Sequence, residues 1–184
     1  MDRQISNKSK EILSYVARNS LEFCSKNGQR KKFNFGIAEI LEHKAVFVTL
    51  WEREIGALRG CIGHIEARYP LVDAVSKTVI SSALEDPRFE PLTKNELDNI
   101  NIEISVLSPL KKILPEEIEI GKHGLRLVKG SNSSVFLPEV AVSQGWNKKK
   151  LLDELSLKAG MNKECWKDAE TKLQCFESES WFEN

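Results

Sequence analysis

Residues near the start of the chain repeat with the three-to-four-residue spacing of one helical face. This face comprises Leu13, Val16, Ala17, Ser20, Leu21 and Cys24. Gly28 follows as a stop signal, and the basic residues near it suit the negative end of a helix dipole. The pattern predicts a first amphipathic helix that ends before Gly28.

The next apolar segments have the character of strands. Residues 46–51 are rich in β-branched and aromatic side chains, residues 52–56 form a predicted turn, and residues 57–65 form a second strand. The two strands together predict a hairpin. Its second arm carries the run Leu58-Arg59-Gly60-Cys61-Ile62-Gly63.

Helical spacing returns after Pro70 and continues to Ala83. The predicted helix is ended by Asp86-Pro87, because the residue before a proline avoids the helical region. Residues 93–96 fit a capping box, in which a threonine and a glutamate bond each other's backbone N–H groups. Apolar and polar positions then alternate over residues 101–106, which predicts a strand with one buried face.

The second half of the chain gives a similar pattern. Residues 118–120 predict a short strand and residues 121–124 a turn. Residues 125–128 are extended, and a loop over 130–134 leads into a strand over 135–142. A helix after residue 147 and a last strand over residues 172–176 follow. The second half then has the same order as the first, namely strand, turn, strand, helix, strand. This order suggests an internal duplication with repeat units of about 46–107 and 118–182. On this alignment, residues 135–141 correspond to the strand that carries Cys61.

The last elements have clear boundaries in the sequence. Asn147 is placed to cap a helix, and Gly160 is placed to end it. A short helical turn is predicted around Cys165 and Trp166, and a final strand over residues 172–176. The predicted elements together favour one domain over residues 1–184, with two lobes as the alternative.

Composition narrows the class of protein. The chain has 184 residues, of which 41% are hydrophobic and 29% charged, as in ordinary globular proteins. Its 27 basic residues balance its 27 acidic ones, so nucleic acid is an unexpected partner. No segment approaches the roughly 18 apolar residues of a membrane span, and the N-terminal residues lack the apolar core of a signal peptide. We therefore expect a soluble, cytoplasmic protein.

Cysteine and histidine spacing gives no metal motif. The four cysteines are Cys24, Cys61, Cys165 and Cys175, and the three histidines are His43, His64 and His123. They form no CxxC pair and no zinc-binding cluster, and the chain has no phosphate-binding loop or dinucleotide fingerprint. We therefore expect reduced thiols, no metal and no cofactor.

The most informative stretch is the strand that carries Cys61, because it places an arginine and a thiol beside Gly60 and Gly63. Glycine weakens a strand unless a close backbone approach needs it, and arginine is rarely buried alone. Cys61 could act as a nucleophile, or it could be a small packed side chain. In a regular strand Arg59, Cys61 and Gly63 share one face, and His64 lies on the other.

Four further residues could bind or act on a ligand. Arg59 suits a carboxylate or phosphate, with a structural ion pair to Asp86 or Glu139 as the alternative. Asp86 and Arg88 lie in a rigid turn, which could bind a substrate or brace a loop. Glu139 follows a proline in a predicted apolar strand, where a carboxylate needs a partner.

His123 lies between glycines in Gly121-Lys122-His123-Gly124, where the backbone can approach a ligand closely. Its imidazole could serve as an acid or base. The alternative is a solvent-exposed turn histidine.

These motifs together resemble the AMMECR domain family, named for a human chromosomal region linked to Alport syndrome with elliptocytosis. The matching runs are Phe47-Val48-Thr49-Leu50, Leu58-Arg59-Gly60-Cys61-Ile62-Gly63, Asp86-Pro87-Arg88-Phe89, Ile104-Ser105-Val106-Leu107, Gly121-Lys122-His123-Gly124-Leu125, Leu137-Pro138-Glu139-Val140-Ala141 and Lys158-Ala159-Gly160. They span nearly the whole chain in the same order. The family usually has glutamine at the position of Glu139.

The resemblance implies an α+β fold with a mainly antiparallel, partly barrel-like sheet, external helices and a cleft between two lobes. It implies no known reaction. Prokaryotic members often accompany a Memo-like protein and a radical SAM protein, which suggests these as partners in a modification system.

Two hypotheses follow for function. In the first, the protein is an enzyme or enzyme component whose cleft is lined by Arg59, Cys61, His123 and Glu139, with Cys61 or His123 as the catalytic group. Gly60, Gly63, Asp86 and Arg88 would then help to bind the substrate. In the second, the protein is a non-catalytic adaptor or binding module for a protein or a small molecule.

Overall fold

The computed structural model describes residues 4–183 and divides the chain into two compact units. The first unit holds residues up to Leu107 together with the C-terminal residues from Glu179, and the second is Ser108–Ser178. Residues 1–3 lie outside the described residues. The prediction that the N-terminal residues lack the apolar core of a signal peptide falls partly on them.

The described residues of the first unit form four helical segments and four strands. They are α1 Asn7–Asn27, α2 Ala38–Leu41, β1 Ala45–Glu52, β2 Leu58–His64, α3 Leu71–Leu84, the 3₁₀ helix Lys94–Asn99, β3 Ile100–Leu107 and β8 Ser178–Phe182. The predicted first helix, hairpin, second helix, capping box and alternating strand are all confirmed. The short helix α2 and strand β8 were not predicted, because neither has a long periodic pattern.

Helix α1 begins and ends where side-chain chemistry requires. The Ser6 hydroxyl accepts a hydrogen bond from the backbone N–H of Ser9, and Gly28 closes the helix at a φ of 65°. Helices α1 and α3 pack on one face of the β2-β1-β3-β8 sheet. The fully buried strand residues on this face include Val46, Val48, Leu50, Ile102 and Ile104.

The second unit contains four strands and shorter helices. They are β4 Lys111–Lys112, the 3₁₀ helix Pro115–Glu117, β5 Gly124–Lys129, β6 Asn132–Phe136, α4 Pro138–Ser143, α5 Lys148–Lys158, the 3₁₀ helix Cys165–Lys167 and β7 Lys172–Phe176. The predicted helix from Asn147, the turn at Cys165 and the last strand are confirmed. Asn147 caps α5 by accepting a hydrogen bond from the backbone N–H of Lys150 at 2.9 Å.

Two predicted strands of the second unit are wrong. Residues 118–120 follow a 3₁₀ helix into a turn, since the proline at Pro115 starts helical geometry there. The strand predicted over 135–142 stops at Phe136, and Pro138 opens helix α4 as its first residue. Apolar runs of this length fit either a strand or a buried helix, and the proline decides for the helix.

The α+β class with antiparallel sheets is confirmed. The first sheet has the order β2-β1-β3-β8 and the second has the order β6-β5-β7-β4. Both sheets are open, and residues 4–183 form no closed barrel. The shared strand order is what a duplication would produce, although residues 137–141 are not the strand that the duplication assigned to them. The duplication and the cleft between lobes stay predictions.

Gly60 lets helix α3 approach strand β2. A Cβ atom at this position would lie 2.1 Å from the backbone oxygen of Ser82, which is far inside contact distance. Gly63 makes room in a different way, because its Cβ would lie 2.1 Å from the ring of Phe47 on the neighbouring strand. The close approach inferred from these glycines is therefore made by the chain's own backbone and side chains.

We expect Gly60→Ala to lower the free energy of unfolding by about 3 kcal/mol, because the added methyl must push α3 from the sheet. Urea unfolding measures this loss. Gly36→Ala is the control, since nothing lies within 4 Å of the position that its added methyl group would take. A Gly60→Ala variant as stable as Gly36→Ala would contradict the packing role.

Candidate functional site

Arg59 sits at a break in the pairing of β1 with β2. Leu50 pairs with Gly60, whereas the next residue of β1, Trp51, pairs with Leu58. Arg59 is therefore the extra residue of a β-bulge. Bulges interrupt the side-chain alternation of a strand and turn a side chain in a new direction.

His64 lies on the opposite face of β2 from Cys61, as the alternation predicts. Thr49 pairs with Cys61 and Val46 pairs with His64, with no irregularity between the two pairs. A three-residue separation puts the two side chains on opposite faces. No bulge occurs at Gly63 that could bring His64 beside Cys61, so His64 is not the base for this thiol.

Asp86 holds the outer edge of β2. Its carboxylate accepts a hydrogen bond of 2.8 Å from the backbone N–H of Cys61. Arg88 donates to the same carboxylate from Nε at 2.9 Å and from Nη2 at 2.6 Å. The Nη2 group of Arg88 also donates to the Cys61 carbonyl at 3.2 Å. Asp86 and Arg88 thus clamp both backbone groups of Cys61.

The charge of Asp86 is stabilised by these contacts. Its side chain is only 2% exposed, so the carboxylate depends on the donors around it. The hydrogen bonds from Arg88 and from the Cys61 backbone hold the pKa of Asp86 well below its usual range, despite burial. The turn after α3 therefore carries a fixed negative charge beneath the edge of the strand.

Ser82, a residue of helix α3, hydrogen-bonds to the backbone of β2. Its hydroxyl accepts a hydrogen bond from the backbone N–H of Ile62 at 3.0 Å and donates toward the carbonyl of Val48 at 2.8 Å. A side chain of α3 therefore bridges two strands of the sheet. Together with Gly60, this contact sets the distance between strand β2 and helix α3.

Arg59 is paired with a residue that the sequence did not suggest. Its Nε donates to a carboxylate oxygen of Glu96 at 2.8 Å, so the structural ion pair expected for Arg59 is made with Glu96 and not with Asp86. An ion pair of Arg59 with Glu139, a residue of the second unit, stays a prediction. Glu96 also closes the capping box with Thr93, and the contacts from Arg59 and Thr93 lower its pKa to about 2. Arg59 is 12% exposed at its side chain, and its Nη1 has no hydrogen-bond partner among residues 4–183.

Phe89 lies beside both arginines. The guanidinium carbon of Arg59 is 6.0 Å from the centre of the Phe89 ring, and that of Arg88 is 5.4 Å from it. Cation–π contacts at these distances help to fix the guanidinium groups. Two cationic side chains therefore lie close to one aromatic ring, next to the backbone of Cys61.

The Cys61 thiol points to the sheet face away from the helices. The Thr49 hydroxyl lies 3.3 Å from its sulfur and donates to it. Burial raises the pKa of the Cys61 thiol above its ordinary value, and this effect outweighs the hydrogen bond from Thr49 and the charge of Arg88. Glu103 pairs with Thr49 on the next strand and adds a negative charge that also raises this pKa. The surroundings favour the neutral thiol, not the reactive thiolate.

His123 and Glu139 belong to the second unit, whereas Arg59, Cys61, Asp86 and Arg88 share the first. A joint site of the two groups stays a prediction. His123 is half-buried in a turn, where its Nδ1 accepts a hydrogen bond from the backbone N–H of Glu119 at 3.1 Å. In the neutral ring this bond leaves the proton on Nε2.

Glu139 is exposed in the first turn of α4 and not in a strand. Its carboxylate is therefore not buried in an apolar strand, and a helix N-terminus favours negative charge. The reason for singling it out from the sequence was wrong, because Pro138 starts a helix. A role in binding substrate stays a prediction.

Within the described part of the chain, no three or more His, Cys, Asp and Glu side chains form a group that could hold a metal ion. None of the helices described is long and apolar enough to cross a membrane.

The fold and the order of its motifs define an α+β protein of two open antiparallel sheets, and comparison with known proteins identifies the family. The AMMECR1 family model matches residues 14–181, so the chain belongs to the AMMECR1 family. A protein of Thermococcus onnurineus is 38% identical over 179 residues, which cover 92% of this chain and 87% of that protein. A protein of Aquifex aeolicus is 44% identical over 144 residues, covering 75% and 74%.

A solved structure has the same fold. The crystal structure of uncharacterized protein PH0010 from Pyrococcus horikoshii superposes with a TM-score of 0.93 at 38% identity. It covers 98% of this chain and 94% of that one. The expected family is therefore confirmed, and with it the α+β fold.

Sequence reasoning missed the residues that surround the arginine and the thiol. Thr49 and Glu103 are polar residues in strands, but only the register shows that both lie in one row with Cys61. Glu96 is recognisable in the sequence as part of a capping box, and its second role as the partner of Arg59 has no local signal. Ser82 reads in the sequence as one small residue in an apolar helical face.

We expect Cys61 to react slowly with iodoacetamide at neutral pH, and to react faster as pH rises past the ordinary range of a thiol, because burial disfavours the thiolate. Peptide mass spectrometry after timed labelling follows Cys61 separately from the other cysteines. The same peptide in urea-unfolded protein is the control. Labelling in the folded protein at pH 7 that outpaces the unfolded chain would instead indicate an activated nucleophile.

Proposed function

We propose that the protein is a non-catalytic binding module for a partner that carries an anionic group, either a carboxylate or a phosphate. Arg59 and Arg88 would hold this group next to Cys61. The observation that carries the proposal is the pair of guanidinium groups at the Phe89 ring, of which Arg88 is exposed and Arg59 keeps a buried donor, Nη1, without a partner in residues 4–183.

The surrounding carboxylates support binding because they orient the arginines. Glu96 occupies Nε of Arg59, and Asp86 occupies the Nε and Nη2 edge of Arg88. An arginine that is fixed on one edge offers its remaining N–H donors in a set direction, which favours planar anions such as carboxylates or phosphates. The Arg88 side chain is 54% exposed, so a ligand can reach it.

The geometry weighs against the alternative of a cysteine-dependent enzyme. Burial keeps Cys61 in its thiol form, and His64 lies on the other face of the strand. Nucleophilic cysteines need a base or a cation that stabilises the thiolate. Cys61 serves here as a packed side chain whose backbone, held by Asp86, fixes the site.

The Memo-like and radical SAM proteins suggested by the family resemblance are the first protein partners to test. In this proposal the chain would contribute binding to such a modification system, and the chemistry would belong to a partner. A small anionic molecule is the other class of ligand that the arginine pair fits.

We expect inorganic phosphate to raise the thermal unfolding midpoint of the parent protein. At ten times the dissociation constant, binding adds about 1.4 kcal/mol, or roughly 3–6 °C for a chain of this size. Arg59→Lys keeps the charge but loses the fork of donors, and it should remove most of this shift. Sodium chloride at the same ionic strength is the control, because it screens surface charges as phosphate does but should not bind at the arginine pair.

Arg68→Lys is the matched control, because Arg68 is an exposed arginine of the same unit that pairs with Glu66 at 2.8 Å. It should respond to phosphate as the parent does. In pull-downs, Arg59→Lys should lose a partner that Arg68→Lys and Cys61→Ala retain. Equal phosphate shifts in Arg59→Lys and the parent would refute the proposed anion site.

A further inference from the structure

A groove of about 910 Å³ lies between helix α1 and strand β8 in the first unit. Its walls include Glu11, Tyr15 and Glu22 of the helix and Trp181 and Phe182 of the strand. Neither arginine of the candidate site lines this α1–β8 groove. The groove is therefore a second surface feature of the same unit.

Strand β8 is fixed beside α1 by every second residue. Three pairs make this contact, namely Lys10 with Glu179 at 2.6 Å, the Ser14 hydroxyl with the indole N–H of Trp181 at 3.2 Å, and Arg18 with Glu183. The helix residues are four positions apart and the strand residues two, so both rows advance by about 6–7 Å per step. The strand is thus held in a fixed position along the helix.

The outer edge of β8 is open to a further strand. β8 is the last strand in the order β2-β1-β3-β8, and the backbone N–H of Glu183 donates to the Ile102 carbonyl of β3 at 2.9 Å. Because backbone groups alternate in direction along a strand, those of Ser180 and Phe182 point away from β3. Phe182 is also 52% exposed. The edge therefore offers main-chain donors and acceptors together with an apolar side chain.

The other three sheet edges are protected against strand addition, as edges in natural sheets usually are. At β2, the side chains of Asp86 and Arg88 bond the outward backbone groups of Cys61. Strand β4 has only two residues, and both are lysines. At β6, the Lys158 ammonium donates to the Val135 carbonyl at 2.8 Å. The sequence of β8 has neither lysine nor proline, so its edge lacks this kind of protection.

The charges of the α1–β8 groove favour a basic ligand. The cationic residues of its helical wall are already paired with carboxylates of β8. Glu11, Glu22 and Asp98 also line the groove, and they form no ion pair with residues 4–183. Arg53 is the remaining cation of the lining. Three carboxylates against one guanidinium leave a net negative charge, which attracts lysine or arginine side chains.

We propose that the α1–β8 groove binds an extended basic segment of another protein, which adds to β8 as a further strand. Main-chain hydrogen bonds to Ser180 and Phe182 supply affinity, as in other cases of strand addition. Pairing with Glu11 and Glu22 on the helical wall selects lysine or arginine side chains. These two carboxylates are about 16 Å apart along the helix, a length that about five strand residues span.

The test uses the full chain and a fluorescein-labelled peptide of alternating lysine and valine, about eight residues long, with fluorescence anisotropy as the readout. We expect saturable binding by the parent. The double variant Glu11→Lys, Glu22→Lys should weaken binding by more than about tenfold, because two attractions become repulsions. The matched control is Glu54→Lys, Glu85→Lys, since both side chains are exposed in the same unit and neither lines the groove.

The control should bind the peptide nearly as the parent does, and circular dichroism shows whether both double variants keep their fold. A second peptide of the same sequence, N-methylated at every residue, keeps its lysines but cannot donate main-chain hydrogen bonds. It should bind at least about tenfold more weakly than the first peptide. Only the first peptide should slow amide hydrogen exchange at Ser180 and Phe182.

Four results would overturn the proposal. They are no binding by the parent, equal binding of the two peptides, equal binding by the two double variants, and unchanged exchange in β8 when the first peptide is bound. Size-exclusion chromatography of the parent without peptide tests the other occupant of an open edge. A dimer that the first peptide dissociates would assign the edge to a second copy of this chain and would also overturn the proposal.

Discussion

The buried carboxylate of Asp86 is the contact on which the candidate site depends. Strand β2 is an edge strand, so the outward backbone groups of Cys61 have no neighbouring strand to bond. Asp86 accepts from the Cys61 N–H and fixes Arg88, which in turn donates to the Cys61 carbonyl. One carboxylate therefore replaces a missing strand and also orients an arginine.

The other features of the site follow from this anchored strand. Gly60 and Ser82 set its distance from α3, and the bulge at Arg59 turns that side chain toward Glu96 and Phe89. This arrangement suits binding better than nucleophilic catalysis. The strand is held in place, the two guanidinium groups are oriented, and the thiol is favoured in its neutral form. Rigid support of this kind is what holds a binding group within a fraction of an ångström of its working position.

Local sequence signals predicted the elements of the fold well where capping and periodicity agree. The helix ended by Gly28, the hairpin and the capping box at Thr93 are examples. Prediction was wrong for residues 137–142, because an apolar run fits either a strand or a helix and the helix-starting preference of Pro138 outweighs the run's strand character. Family resemblance supplied the fold class that periodicity alone could only suggest.

The candidate site was predicted only in part. Arg59, Cys61, Asp86 and Arg88 stand out in the sequence because polar residues in apolar strands and rigid turns are unusual. Their partners were not predicted, since the pairing of Arg59 with Glu96 joins residues 37 positions apart and depends on the tertiary fold. The bulge at Arg59 also has no local signature, as it arises from the register of two strands.

The role of Asp86 can be measured by following the free energy of unfolding of the parent and of Asp86→Asn from pH 7 to pH 2, with Asp98→Asn as an exposed control. Asp86 is buried and its partner Arg88 is half-exposed, so the loss of the charged hydrogen bonds of Asp86 should cost about 1.5–3 kcal/mol at neutral pH. Because the pKa of Asp86 is lowered by folding, its contribution is complete above the unfolded value of about 3.9 and is lost as pH falls below it. We predict that the difference between the parent and Asp86→Asn is large at pH 7 and narrows below about pH 4. A difference that is small at pH 7, or that stays constant down to pH 2, would contradict the central role of this carboxylate.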